Sequence, residues 1–256
     1  MRQPKKSLLD YLLSINDEPM RYKEDVLPPG NYMISCDYHA PYFSEVWVNR
    51  LLKTAHKFKI KKNIIIGDLF DMNFAKHWYS DEPSSLDAEL KQNKPLMKAL
   101  GYFDENYLVQ GNHESRIGRL TDAKIQARHL FILMGGETWQ KKFKYSEYDK
   151  VGMGNKWLLV HPKSYSQVSP QVARRLAEKY HKNIINSHGH LVGSGYDRSG
   201  KYLTVDLGGM FDTQKVEYIN KHTTTHPVWG NGFGMMLNGK FWHFTDQTDW
   251  KYWGLA

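Results

Sequence analysis

The sequence predicts an α/β fold built on parallel strands, and three observations carry that prediction. Its apolar runs are short and do not alternate with polar residues. Asn63-Ile64-Ile65-Ile66 is one such run, and it reads as a strand buried on both faces. These runs alternate with helical patterns, giving strand–helix–strand units, which join parallel strands. Run after run then ends in a glycine, a carboxylate or a histidine, at the strand end where open α/β sheets collect ligands.

Length and composition set the bounds. A chain of 256 residues holds one α/β domain with a full core, or at most two small ones. We read residues 1–29 as an N-terminal extension packed on the domain and 30–256 as a single domain. Leu8, Leu9, Tyr11, Leu12 and Leu13 form a short amphipathic pattern, and Pro28-Pro29-Gly30 a turn. No apolar run approaches the roughly 18 residues of a membrane helix. Asp10 and Asn16 interrupt any signal-peptide core, so a cytoplasmic protein is expected. Cys36 is the only cysteine, which excludes an internal disulfide and a cysteine-held metal. The net charge of +8 permits a polyanionic partner, but the lysines are spread along the chain and read equally well as a solvated surface.

The elements follow in order. Asn31–Cys36 is a strand that ends at Asp37-Tyr38-His39-Ala40-Pro41. Ser44 to Lys59 is a helix, with Val46, Val48, Leu51, Leu52, Ala55 and Phe58 near helical spacing. The Asn63–Ile66 strand runs into Gly67-Asp68-Leu69-Phe70-Asp71, and a loop leads to a helix from Leu86 to Leu100. Tyr107–Gln110 is a strand closed by Gly111-Asn112-His113-Glu114. Arg116 to Gly135 is expected to be one helix, with Leu120, Ala127, Leu130, Ile132 and Leu133 inward. Lys156–Val160 is a strand ending at His161-Pro162, and Ser169 is expected to cap a helix over Gln171–Tyr180. Asn183–Ser187 is a strand ending at His188-Gly189-His190. Tyr202–Val205, Gly232–Leu237 and Lys240–Phe244 are late strands, the last two a hairpin through Asn238-Gly239.

Five strand ends therefore carry metal-capable groups: Asp37 and His39; Asp68 and Asp71; Asn112 and His113; His161; His188 and His190. One such end means little, because Asp or His there often just caps the next helix. Five at one sheet edge point to a metal site with Asp68 central. The mixed oxygen and imidazole set suits manganese, iron or zinc better than an all-oxygen calcium or magnesium cage.

The order Asp37-Tyr38-His39, Gly67-Asp68-Leu69-Phe70-Asp71, Gly111-Asn112-His113-Glu114, His161, Gly189-His190 resembles the signature of the calcineurin-like metallophosphoesterases. The spacing further resembles small stand-alone members encoded by phages, for which the location would be the host cytoplasm. The resemblance implies a four-layer α/β/β/α sandwich of two mixed sheets. It implies two divalent ions, manganese first, with iron, zinc, nickel or magnesium as alternatives. By the same resemblance Asp37 and His39 bind the first ion, Asp68 bridges, and Asn112, His161 and His190 bind the second. His113 then acts as general acid or steadies the phosphoryl group, with Asp71 orienting it. Arg116 and Arg119 are candidate substrate contacts. Leu191-Val192 stand where many relatives carry a second histidine, so the first group is expected to lack one. His188 could compensate from the other side of Gly189, although on an extended strand it would point away from His190.

The implied function is hydrolysis of a phosphate ester, with the basic charge favouring a phosphodiester in a nucleic acid or nucleotide. Two alternatives stand beside it: a protein or small-molecule phosphomonoesterase, and a non-catalytic member that binds a protein partner. His77, His129, His181, His222, His226 and His243 are read as surface or satisfied residues, Tyr38 and Trp78 as core. Glu114 is expected to pair with a basic neighbour, and nothing fixes a role for Asp206 or Asp212.

Overall fold

Alternation inside fully buried strands decides where every apolar side chain of the sheets goes. In the Lys62–Ile66 strand, Ile64 and Ile66 face one core and Ile65 another. In Trp157–Val160, Leu159 faces one core while Leu158 and Val160 face another. Two sheets with apolar side chains on both faces must be covered on both faces, and this requirement produces four layers.

The structure, a computed structural model, describes residues 25–76, 85–216 and 229–255. The first sheet runs in the order β12-β11-β2-β3-β4-β5. Its members are β2 (Tyr32–Ser35), β3 (Lys62–Ile66), β4 (Glu105–Val109), β5 (Phe143–Tyr145), β11 (Gly232–Leu237) and β12 (Lys240–Thr245). Strands β2 to β5 are parallel, and β11 is antiparallel to both its neighbours. The second sheet runs β1-β6-β7-β8-β10-β9. It comprises β1 (Val26–Leu27), β6 (Lys150–Met153), β7 (Trp157–Val160), β8 (Asn183–Asn186), β9 (Val192–Tyr196) and β10 (Leu203–Leu207). Strands β7, β8 and β10 are parallel, and β6 and β9 run against them.

Helices α1 (Glu45–Lys57), α2 (Leu86–Leu100), α3 (Glu114–Leu120) and α4 (Ala127–Lys142) cover the outer face of the first sheet. There Leu51, Leu96, Ile117 and Phe131 meet Met33, Ile65, Leu108 and Met235. Ile34, Ile66 and Val109 pack between the sheets against Leu159, Ile185 and Val205. Helix α5 (Gln171–Tyr180) closes the far side, with Ala173 and Ala177 on Leu158, Val160 and Ile184. This is the expected four-layer sandwich. No helix among the described residues is long and apolar enough to cross a membrane.

Several local expectations are corrected. The helix expected over 116–135 is two helices. The Thr121 hydroxyl bonds the carbonyls of Ile117 and Ile125 and accepts from the Ile125 amide, offering the backbone an alternative to the helix. Asp122 and Ala123 then turn left-handed. In consequence Leu120, Ile132 and Leu133 are exposed, and Ile117, Phe131 and Met134 take the inward places. Ser169 does not cap α5: Pro170 precedes the helix, and no side chain caps it. Strands β1, β5, β6 and β9 were not foreseen, being short or, like Val-Gly-Ser-Gly-Tyr in β9, too rich in glycine for strand propensity. Val26 and Leu27, in the stretch read as an extension, pair with β6 at the sheet edge. The expected N-terminal helix, His77, Trp78, His222 and His226 lie outside the described residues.

Candidate metal centre

The loops leaving β2 and β3 stay paired beyond their strands. The amides of Asp37, His39 and Ala40 donate to the carbonyls of Gly67, Asp68 and Leu69. This holds the Asp37–His39 loop against the Asp68–Asp71 loop. Two glycines allow the close approach. A Cβ on Gly67 would lie 2.4 Å from His161 Nδ1, and one on Gly111 would lie 2.1 Å from Asp68 Oδ1. Glu114 ties the loops together. Its buried carboxylate accepts from the amides of Asp68 (2.8 Å), Phe70 (3.1 Å) and Gly111 (3.0 Å). The expected basic partner of Glu114 is thus replaced by three backbone amides.

Asp37, His39, Asp68, His188 and His190 all adopt positive φ, between 46° and 73°. Left-handed backbone is uncommon outside glycine, and where the surroundings hold it in place it marks functional sites. Here it turns five candidate ligands inward.

Two groups result, linked by a third made of His39, Asp68 and His113. In the first, His39 Nε2 and His190 Nε2 are 3.1 Å apart, and His190 Nε2 lies 3.4 Å from Asp37 Oδ1. In the second, His161 Nε2 lies 3.3 Å from Asp68 Oδ2 and 2.9 Å from Asn112 Oδ1, with His188 alongside. Asp68 Oδ2 also faces His39 Nε2, at 3.9 Å, so it stands between the groups. The resemblance assigns His190 to the other group, with Asn112 and His161. His190 belongs with Asp37 and His39, and His188 with Asp68 and His161. The extended-strand argument fails because β8 ends at Asn186 and the chain bends through His188-Gly189-His190. Both imidazoles turn in, and the first group is not short of a histidine.

The groups fit cations. Asp37 Oδ1 is buried without a hydrogen-bond partner, and two imidazole nitrogens converge beside it. His161 Nδ1 sits 3.0 Å from the Ile66 carbonyl, to which it must donate, so its Nε2 is the nitrogen that faces the site. His39 Nδ1 is turned to Asp71 Oδ1, 3.1 Å away, with the same result. The charges agree. Burial works against ionising Asp68, but His161 and His113 hold its carboxyl well below the usual range. Burial, then the charge on His161, pushes His188 down to about 4, leaving it a neutral donor. Burial disfavours charge on His161 too, but Asp68 and then Asp37 outweigh it and bring the ring up to about 10, so a cation bound there would have to displace the Nε2 proton.

His113 faces the same space. Its amide donates to Asp68 Oδ1 (3.0 Å), its Nδ1 meets the Asp71 carbonyl (2.9 Å), and its Nε2 lies 3.9 Å from Asp68 Oδ2. Asp71 Oδ1 sits 3.1 Å from Nδ1 of both His39 and His113. Arg116 is buried, with its guanidinium donating to the Asp71 carbonyl (2.7 Å) and reaching His113 Nε2 (2.9 Å). Arg119 donates to the Asn112 carbonyl and to Ser115 on the surface. Neither arginine lines the cavity of about 210 Å³ that opens over His39, Asp68 and His113. Among the residues set aside, Tyr38 is core, His129 caps α4 with Gln126, His181 ends α5 and His243 bonds the Leu207 carbonyl. Sequence reasoning missed Tyr165 and Trp229 and gave His188 little weight, and all three line the cavity. For His188 the available signal was the two-residue spacing of histidines about a glycine.

No family model and no curated protein matches the chain. Solved structures are similar to it. YfcE, a phosphoesterase from E. coli, is 14% identical over 82% of this chain and 89% of its own, with a TM-score of 0.40. Chaetomium thermophilum Vps29 is 11% identical over 86% and 88%, at 0.45. Pseudomonas putida nuclease MPE is 12% identical over 83% and 87%, at 0.36. At these scores the likeness carries no chemistry across, and the site's own geometry has to supply it.

Proposed function

We propose that the chain is a dinuclear metal-dependent phosphoesterase that favours phosphodiesters. The observation that carries this reading is the pair of groups meeting at Asp68, with the nitrogens of His39 and His190 converging beside the unpartnered Asp37 Oδ1. Asp37, His39 and His190 would hold one ion, and Asn112, His161 and His188 the other. Asp68 would touch both, since a carboxylate has two oxygens to share. When bound, the ions would acidify a shared water and neutralise phosphoryl oxygens, with manganese the first choice for this donor set.

The chain's own residues do the rest. Asp71 fixes the ring of His113; Arg116 donates to its Nε2 here, so His113 would give a proton to the leaving oxygen only after exchanging that bond for the substrate. A diester is favoured because, among the described residues, no lysine or arginine lines the cavity. A monoester dianion asks for one more cation than a diester monoanion does. The net charge of +8 adds a general attraction for polyanions such as nucleic acid.

The test is hydrolysis of bis-p-nitrophenyl phosphate beside p-nitrophenyl phosphate, by protein stripped of metal and refilled with manganese. Diester turnover should require the metal and fall about 10²–10⁴-fold in His113→Ala. Preference for the monoester would move the reading to a phosphatase. A chain that takes up metal yet hydrolyses neither ester would overturn it in favour of a binding role.

A further inference from the structure

The cavity has a polar floor and an aromatic rim. Its floor is His39, Asp68 and His113, and its rim includes Tyr165 and Trp229. The two aromatic rings stand beside different histidines of the His188-Gly189-His190 bend. Tyr165 lies 6.4 Å from the His188 ring, and Trp229 lies 4.6 Å from the His190 ring, edge to face. Trp229 also meets Phe211, so part of its surface supports the site. Tyr165 is different, being 60% exposed at the mouth of the cavity.

Its loop is nonetheless built. The Val168 amide donates to the Ser166 hydroxyl (3.1 Å), and the Gln171 amide to the Val168 carbonyl (3.0 Å). A large ring is therefore presented to solvent beside a candidate phosphate site, with Ser166 and Gln167 adding hydrogen-bonding groups on the same rim.

We propose that Tyr165 and Trp229 are stacking platforms for nucleobases flanking the scissile phosphate, so that the substrate is a nucleotide diester or a single-stranded nucleic acid. The inference rests on the phosphodiester reading above and adds the substrate class to it. Every base offers a π-face, so stacking on exposed aromatic rings recognises nucleic acid without selecting a sequence. Two rings on one cavity, beside different histidines, suit a diester, which carries a group on each side of its phosphorus. Among the described residues no lysine or arginine lines the cavity, which points the same way, because the base would then contribute binding that charge does not.

The experiment compares two substrates with the same leaving group, thymidine 5′-(p-nitrophenyl phosphate) and methyl p-nitrophenyl phosphate, using manganese-loaded protein. The native chain should show a KM at least about tenfold lower for the thymidine ester, equivalent to about 1.4 kcal/mol. In Tyr165→Ala that ratio should collapse towards one, with the change in KM rather than kcat, and Tyr165→Phe should restore it. Trp229→Phe should keep the ratio and Trp229→Leu should reduce it. Equal KM values in the native chain, or an unchanged ratio in Tyr165→Ala, would overturn the stacking inference while leaving the phosphodiesterase reading intact. Hydrolysis of neither ester would overturn that underlying reading instead.

Discussion

The two ligand groups are built from similar parts but held differently. In the first, His39 is oriented by a carboxylate, Asp71, which also orients His113. In the second, His161 is oriented by neutral oxygens, the Ile66 carbonyl and the Ser187 hydroxyl, each 3.0 Å from Nδ1. The first group is fully buried, whereas Asn112 and His188 of the second are half-buried at the cavity. A carboxylate behind an imidazole raises its basicity more than a carbonyl does. The difference teaches that the first group and His113 form one electrostatic unit, while the second group is the independent, more open half.

The largest expected effect comes from removing what the halves share. Asp68→Asn should lower phosphodiester turnover by about 10³-fold or more while leaving circular dichroism unchanged, because the charge between the groups is lost and the shape is not. Unchanged turnover would sink the role of Asp68. Next comes the comparison itself. Asp71→Asn should cost about 10–100-fold in turnover, since it weakens both His39 and His113. Ser187→Ala should cost only about fivefold, roughly 1 kcal/mol, since the Ile66 carbonyl still holds His161. Equal losses in the two variants would mean that the halves are not differently held.

A separate effect concerns stability, again on the first group's side. Glu89 lies under the turn that follows Asp71 and accepts from the Phe74 amide (3.3 Å). Burial raises its carboxyl from 4.5 to about 7, and the Asp71 charge adds to this. The folded state then keeps the proton to about pH 7, while the unfolded chain releases it near 4.5. The stabilisation is full below pH 4.5 and lost as pH rises to 7, by up to about 3 kcal/mol. Glu89→Gln should flatten that slope in urea melts between pH 5 and 8. A slope identical to the native one would remove Glu89 as its source.

Much of this molecule is legible in the sequence, for reasons that differ by residue. Ile64, Ile65 and Ile66 announce a doubly covered strand because no polar residue interrupts them. Asp37, His39, Asp68, Asn112, His113 and His161 announce themselves by following such strands. The grouping of His188 and His190 did not show, because it depends on two left-handed residues, and the strand pattern before them says nothing about where a strand stops. The break after Leu120 hides for a similar reason. A threonine hydroxyl replaces helical hydrogen bonds there without disturbing the apolar spacing that suggested one helix.

Neither sheet owns a complete ligand group. Asp37 and His39 follow a strand of the first sheet and His190 one of the second, while Asp68 and Asn112 face His161 and His188 across the same divide. A cation held by either group is therefore a clasp between two halves of the sandwich that otherwise meet through side chains such as Ile34, Val109, Leu159 and Ile185. Loading would act as a reversible cross-link, adding stability that grows with the logarithm of free metal. Chelation should accordingly lower the melting temperature by loosening the seam between the sheets, before it disturbs the helices that cover them.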